Sequence, residues 1–258
     1  MKTAQEYLDS IRAMRFELYM FGERIVDHAD NPIIKPARNC VAATYELAEE
    51  SRFPQYHDVM TATSHLTGER INRFCHIHQS TEDLVNKSKM GRGLGVYTGS
   101  CFQRCVGMDA LNTLSIVTYD TDQKHGTEYN KRFLKYLRYI QEEDLVCDGA
   151  MTDAKGDRSR HPAEQGDPDQ YLHVVEEKPD GIVVRGNKMH QTGAVNSHEI
   201  ICMPTRAMRE EDKDYAISFA LPSDTEGIIY IYGRQPCDTR KIDSPNMDVG
   251  NVLYGGQE

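Results

Sequence analysis

Cys101 and Cys105, in the run Ser100-Cys101-Phe102-Gln103-Arg104-Cys105, are the pair in this sequence best spaced for shared chemistry. The run reads as helix, so residues four apart lie about one turn apart on one face and both sulfurs project together. Two thiolates placed so could hold two irons of a cluster or half of a zinc site. Gly91, Gly93, Gly95 and Gly99 just before them would let backbone approach an inorganic group closely. From spacing alone two small buried thiols are the commoner reading, and no second closely spaced cysteine pair completes a set of four ligands. Cys75, His76 and His78 form the other local cluster. On an extended segment His76 and His78 face one way and Cys75 the other.

Two polar segments could serve an organic cofactor. Met151, Thr152, Asp153, Ala154, Lys155, Gly156, Asp157 and Arg158 offer a hydroxyl, backbone amides and an arginine, which suit a phosphate or the polar edge of a flavin ring. A charged, solvated linker would read the same way. His190, Gln191, Thr192 and Gly193 follow a strand and could present donors to the heteroatoms of an aromatic cofactor, or form an ordinary polar turn. His65 and Glu258 are ionisable, but spacing alone makes neither a catalytic base.

Positioning these residues requires helices first and strands later. Thr3-Ala4-Gln5-Glu6 is a capping-box pattern, and Tyr7, Leu8, Ile11, Met14 and Leu18 continue one apolar stripe. Pro36 opens a second helix through Leu47, Ser80 or Thr81 caps a third, and Thr127 starts a fourth with Phe133, Leu134, Leu137 and Ile140 inward. From Asp148 to Pro168 apolar residues nearly vanish, which predicts loop. Beyond it the period is two. Tyr171 to Glu177 and Ile182 to Arg185 flank Pro179-Asp180-Gly181 as a hairpin, and Glu199 to Met203, Tyr215 to Leu221 and Ile228 to Tyr232 read as strands. The expected organisation is α+β: an N-terminal helical domain over 1–147 and a β domain over 148–258.

Composition narrows the partners. With 30 Lys and Arg against 40 Asp and Glu the formal charge is −10, which disfavours a nucleic-acid groove or an anionic membrane surface. No apolar stretch approaches the ~20 residues that cross a bilayer, and the start lacks a signal-peptide core, so the expectation is a cytoplasmic protein. Seven cysteines without an export signal argue for reduced thiols or metal ligands.

Taken together, several segments resemble the 4-hydroxybutyryl-CoA dehydratase / vinylacetyl-CoA Δ-isomerase family. They are Met60 to Glu69, His76 to Ser80, Cys101 to Asp109, Asp148 to Asp153, Lys155 to Arg158, His190 to Gly193 and Gly255-Gly256-Gln257-Glu258. The likeness runs through essentially the whole chain, and the spaced cysteines are specific because the related 4-hydroxyphenylacetate 3-monooxygenases lack them. The resemblance implies an acyl-CoA dehydrogenase-like architecture: the helical domain, an antiparallel β-barrel-like domain, then a C-terminal helical bundle absent from this chain. It also implies a homotetramer, FAD, and a [4Fe-4S] cluster held by three cysteines and one histidine, with Cys101 and Cys105 as two of those ligands. FAD falls on Met151 to Arg158 and on His190, Gln191 and Thr192, and the family's acid-base glutamate on Glu258. The implied reaction dehydrates 4-hydroxybutyryl-CoA, and isomerises vinylacetyl-CoA, to crotonyl-CoA by a flavin-mediated radical route. The remaining cluster ligands are missing, so the chain reads as a fragment or as half of a split enzyme that needs a second chain. A reduced-flavin aromatic hydroxylase and a non-catalytic truncated product are the alternatives.

Overall fold

The computed structural model describes residues 1–232. Helix α1, Ala4–Ala13, opens on the expected capping box: the Thr3 hydroxyl accepts from the Glu6 N–H, and the Glu6 carboxylate accepts from the Thr3 N–H at 2.7 Å. The helix ends before the apolar stripe does. Glu17–Met20 is instead strand β1, because Phe16, Leu18 and Met20 also alternate with period two, and Leu18 lies opposite Tyr230 of β10, Ile229–Ile231, in parallel register. Glu23–Arg24, β2, pairs with the end of β1.

Helix α2, Lys35–Glu46, begins with proline in its first turn and buries Val41, Ala42 and Tyr45 against Tyr7 and Ile11 of α1. A short helix α3, Pro54–Met60, leads into the antiparallel pair β3, Thr61–Thr63, and β4, Arg70–Asn72. Helix α4, Thr81–Thr98, is capped by the Ser80 hydroxyl and terminated by Gly99 at φ 65°, a left-handed conformation that glycine adopts freely. Helices α5, Cys105–His125, and α6, Tyr129–Glu142, pack together. Phe133, Leu137 and Ile140 of α6 form one core with Ala110 and Leu111 of α5, Ile71 and Ile201.

The stretch expected as loop from Asp148 starts instead inside strand β5, Cys147–Ala150, before the chain becomes irregular. Glycine and aspartate gave no strand signal there. The strand forms because β8, Glu199–Cys202, offers a parallel partner matching Cys147 to Glu199 and Ala150 to Cys202. The hairpin appears as β6, His173–Lys178, and β7, Gly181–Arg185. Strand β9, Phe219–Pro222, runs antiparallel to β8, whereas Tyr215 ends a 3₁₀ turn over Glu210–Tyr215 and does not begin the strand. The α+β mixture is as expected, but the barrel-like form is not. Among the described residues the strands lie in separate sheets of two or three, and none closes, since so few strands cannot curl into a barrel. No helix of the described residues is long and apolar enough to cross a membrane.

Candidate functional site

The two cysteines do not share a helix. Gly99 ends α4, Gln103 turns the chain at φ 59°, and α5 starts only at Cys105, so Cys101 stands on the connecting loop and Cys105 at the first helical residue. Their thiols nevertheless meet. The Cys105 thiol donates to Cys101 and holds it down at about 6, while the same contact and burial push Cys105 up. Cys101 is exposed and Cys105 half-buried, so the pair is open to a ligand.

Arg104 anchors this loop. Its buried guanidinium lies 4.7 Å from both the Tyr45 and Phe74 ring centroids, and it donates to Thr44 Oγ1 at 2.8 Å and to the Leu145 carbonyl at 3.3 Å. Two glycines bring α5 down onto β5. A Cβ on Gly107 would stand 1.9 Å from the Cys147 carbonyl oxygen, and one on Gly149 would stand 2.4 Å from Val106 Cγ1.

Residues 151–158 leave the end of β5 and lie against 188–192. The Met189 N–H donates to the Thr152 carbonyl at 2.7 Å, and Gln191 Nε2 donates to the Thr152 and Met189 carbonyls. Lys188 clamps the junction: its ammonium lies 2.5 Å from Asp153 Oδ1 and donates to the carbonyls of Met151 and Met203. Asp153 is therefore buried and committed internally, with Thr205 Oγ1 donating to its other oxygen at 3.0 Å. Gly156, at φ 49°, would meet the Gln170 carboxamide at 2.3 Å if it carried a Cβ. Met151, Lys155, Gly156, Asp157 and Arg158 are exposed.

The third contact joins the thiol loop to the polar turn. The position of a Cβ on Gly193 is 3.0 Å from the Gln103 carbonyl oxygen and 3.2 Å from Asp148 Oδ1. Thus Cys101 to Cys105, Met151 to Arg158 and His190 to Gly193 converge at the ends of β5 and α5. Beside Gly193, the buried atoms Asp148 Oδ2 and Gln103 Nε2 have no hydrogen-bond partner among the described residues. Unsatisfied polar atoms in a buried junction fit a ligand with polar edges, such as a flavin ring. For an iron-sulfur cluster the adjoining thiols fit two ligand positions; among the described residues no group of three or more His, Cys, Asp or Glu gathers.

Other expected positions are not brought here. His76 Nε2 faces Asp83 Oδ1 at 3.2 Å, and the His76 and His78 rings stack 6.3 Å apart. Glu258 lies outside the described residues. Sequence reasoning missed Asp148, Lys188 and Arg104 as parts of the junction. A lysine two residues before the His190 turn was the available signal for the clamp.

The family model for the 4-hydroxyphenylacetate 3-hydroxylase N-terminal region matches residues 3–256. The chain belongs to this family. Within the 4-hydroxyphenylacetate 3-hydroxylase N-terminal family its relatives diverge in chemistry. It is 58% identical, over 99% of its length, to 52% of the 4-hydroxybutyryl-CoA dehydratase/vinylacetyl-CoA-Δ-isomerase of Clostridium aminobutyricum. It is 27% identical to 46% of the 4-hydroxyphenylacetate 3-monooxygenase oxygenase component of Thermus thermophilus, over 89% of this chain. Among solved structures it superposes on an oxygen-tolerant archaeal 4-hydroxybutyryl-CoA dehydratase from N. maritimus with a TM-score of 0.93 and 49% identity, covering 99% of this chain and 50% of that one. The oxygenase component of 4-hydroxyphenylacetate 3-monooxygenase complexed with FAD gives 0.73 and 25%, covering 90% and 46%. The chain spans about half the length of the curated relatives it matches.

Proposed function

We propose that this chain is the part of a 4-hydroxybutyryl-CoA dehydratase with vinylacetyl-CoA Δ-isomerase activity that carries the flavin segments and two cluster ligands. The observation that carries this reading is the adjoining thiol pair at the start of α5, set against the two polar segments at the end of β5. A reduced-flavin hydroxylase has no use for such a pair. Cys101 and Cys105 would hold two irons, with Cys101 already inclined to the thiolate. Thr152, the backbone of Ala154 to Arg158 and the His190 to Thr192 turn would hold FAD. Gln191 fixes that turn through the Thr152 and Met189 carbonyls, which leaves the Thr192 hydroxyl to meet the ring edge. Asp153 acts through Lys188, keeping the loop shut onto the junction. Glu258 would supply a further acid-base group.

When bound, FAD supplies a transient one-electron store, and a [4Fe-4S] cluster supplies a Lewis-acidic iron for the departing hydroxyl. An acyl-CoA substrate, cytoplasmic location, and assembly as a homotetramer or with a second chain complete the proposal. The test is anaerobic purification of the chain alone and together with the C-terminal half of the Clostridium aminobutyricum relative, followed by iron and flavin analysis. Turnover of 4-hydroxybutyryl-CoA and vinylacetyl-CoA by the assembly is the expected result. Hydroxylation of 4-hydroxyphenylacetate with reduced flavin, without iron, would overturn it.

A further inference from the structure

Strand β5 carries an acidic residue that none of these roles uses. Asp148 is 3% exposed; among the described residues the Gly149 N–H donates to it, and its Oδ2 meets no partner. Among the described residues no cation stands beside it. Arg104 in the neighbouring loop is turned to Tyr45, Phe74 and Leu145, and Lys188 is committed to Asp153 and two carbonyls. Among the described residues, the titratable groups facing it are the Cys202 thiol from β8 and the Tyr230 phenol from β10, neither charged at neutral pH. The turn contributes Gly193 and the thiol loop Gln103.

A carboxylate stripped of both water and counter-charge is costly, and burial alone pushes Asp148 up to about 6. The neutral acid has an O–H to donate, and no acceptor among the described residues takes it from Oδ2. Gly193 leaves the junction open at this place, since a Cβ there would crowd Asp148 Oδ1 at 3.2 Å.

We propose that Asp148 is a proton-holding residue of this junction, whose carboxylic acid donates a hydrogen bond to an acceptor atom of the bound ligand. The inference rests on the reading of the junction as an FAD and acyl-CoA site. The acceptor is a flavin carbonyl or ring nitrogen, or the thioester carbonyl.

Melting curves of the ligand-free chain from about pH 4 to pH 8 read the proton directly. Because the folded state keeps a proton that the unfolded chain releases above 3.8, wild type should lose stability relative to Asp148→Asn as pH rises towards about 6. A wild type that instead gains on Asp148→Asn over that range overturns the proposal. In the flavin-depleted assembly with the C-terminal half, FAD and butyryl-CoA are titrated separately. Asp148→Asn, which keeps a donor, should bind within about threefold of wild type. Asp148→Leu should lose about tenfold, roughly 1.4 kcal/mol, in the arm whose ligand supplies the acceptor. Equal affinities of Asp148→Leu and wild type in both arms overturn it. An assembly that binds neither ligand sinks the functional reading, and the melting comparison then decides whether Asp148 holds the proton.

Discussion

Cys101 and Cys105 gain their chemistry from each other: a thiol that donates to its neighbour makes that neighbour the easier thiolate. If they are iron ligands, Cys101→Ser and Cys105→Ser should each abolish the iron-sulfur absorbance of the assembled enzyme, since serine is a poorer iron ligand. Loss of both dehydration and isomerisation should accompany it. If they are only small packing residues, Cys→Ala will leave the colour intact and cost about 1 kcal/mol of stability. The Thr192 hydroxyl makes a second residue-scale prediction. If the Thr192 hydroxyl meets the flavin as proposed, Thr192→Val keeps the shape and leaves a flavin heteroatom unpaired, so FAD affinity should fall by ~1 to 3 kcal/mol in a titration. Residue types at the site were legible in the sequence, but their partners were not. Asp153 and Gln191 look like ligand-facing polar groups until Lys188 and the Thr152 carbonyl are seen to occupy them.

At the scale of elements, the docking of α5 on β5 positions the thiols, and it depends on the absence of side chains. Gly107→Ala would drive a methyl into the Cys147 carbonyl, so the helix must lift. The expected cost is about 1–3 kcal/mol or more in denaturant unfolding, with loss of the contact between the thiol loop and Gly193. Gly95→Ala, an exposed position in α4 with nothing within 4 Å, should be stabilising by about 0.5–1 kcal/mol and controls for the generic effect of alanine. The strongly amphipathic α6 and the capped α1 and α4 could be read from periodicity and caps. α5 could not, because its apolar residues are not gathered on one buried face: Ile116, Val117 and Tyr119 are all more than half exposed. β5 was hidden for the opposite reason, since its tertiary partner β8 and not its own composition makes it a strand.

Across the whole molecule, His198 joins the first helix to the sheet. Its Nδ1 accepts the Val146 N–H at 3.0 Å, and its Nε2 lies 2.8 Å from Ser10 Oγ, whose own proton goes to the Tyr7 carbonyl at 2.7 Å. The ring is thus fixed as a neutral donor and acceptor, and burial lowers it to about 3 from 6.5. The unfolded chain takes up this proton first, so stability should decline as pH falls below about 6.5 and towards 3. His198→Asn, which does not titrate, should flatten that decline in melting experiments; an unchanged slope would assign it to other groups.

The parallel pairing of β1 with β10 has a bearing on how the chain is made. Glu17 to Tyr19 wait for Ile229 to Ile231, some two hundred residues later, before their backbone groups on that side are satisfied. Such distant pairing raises contact order and delays folding until synthesis has passed β10. On the ribosome, a nascent chain shorter than this presents β1 as an uncovered edge able to recruit other strands. Premature termination after α6 but before residue 229 should therefore yield insoluble product, even though every helix α1 to α6 has already been translated.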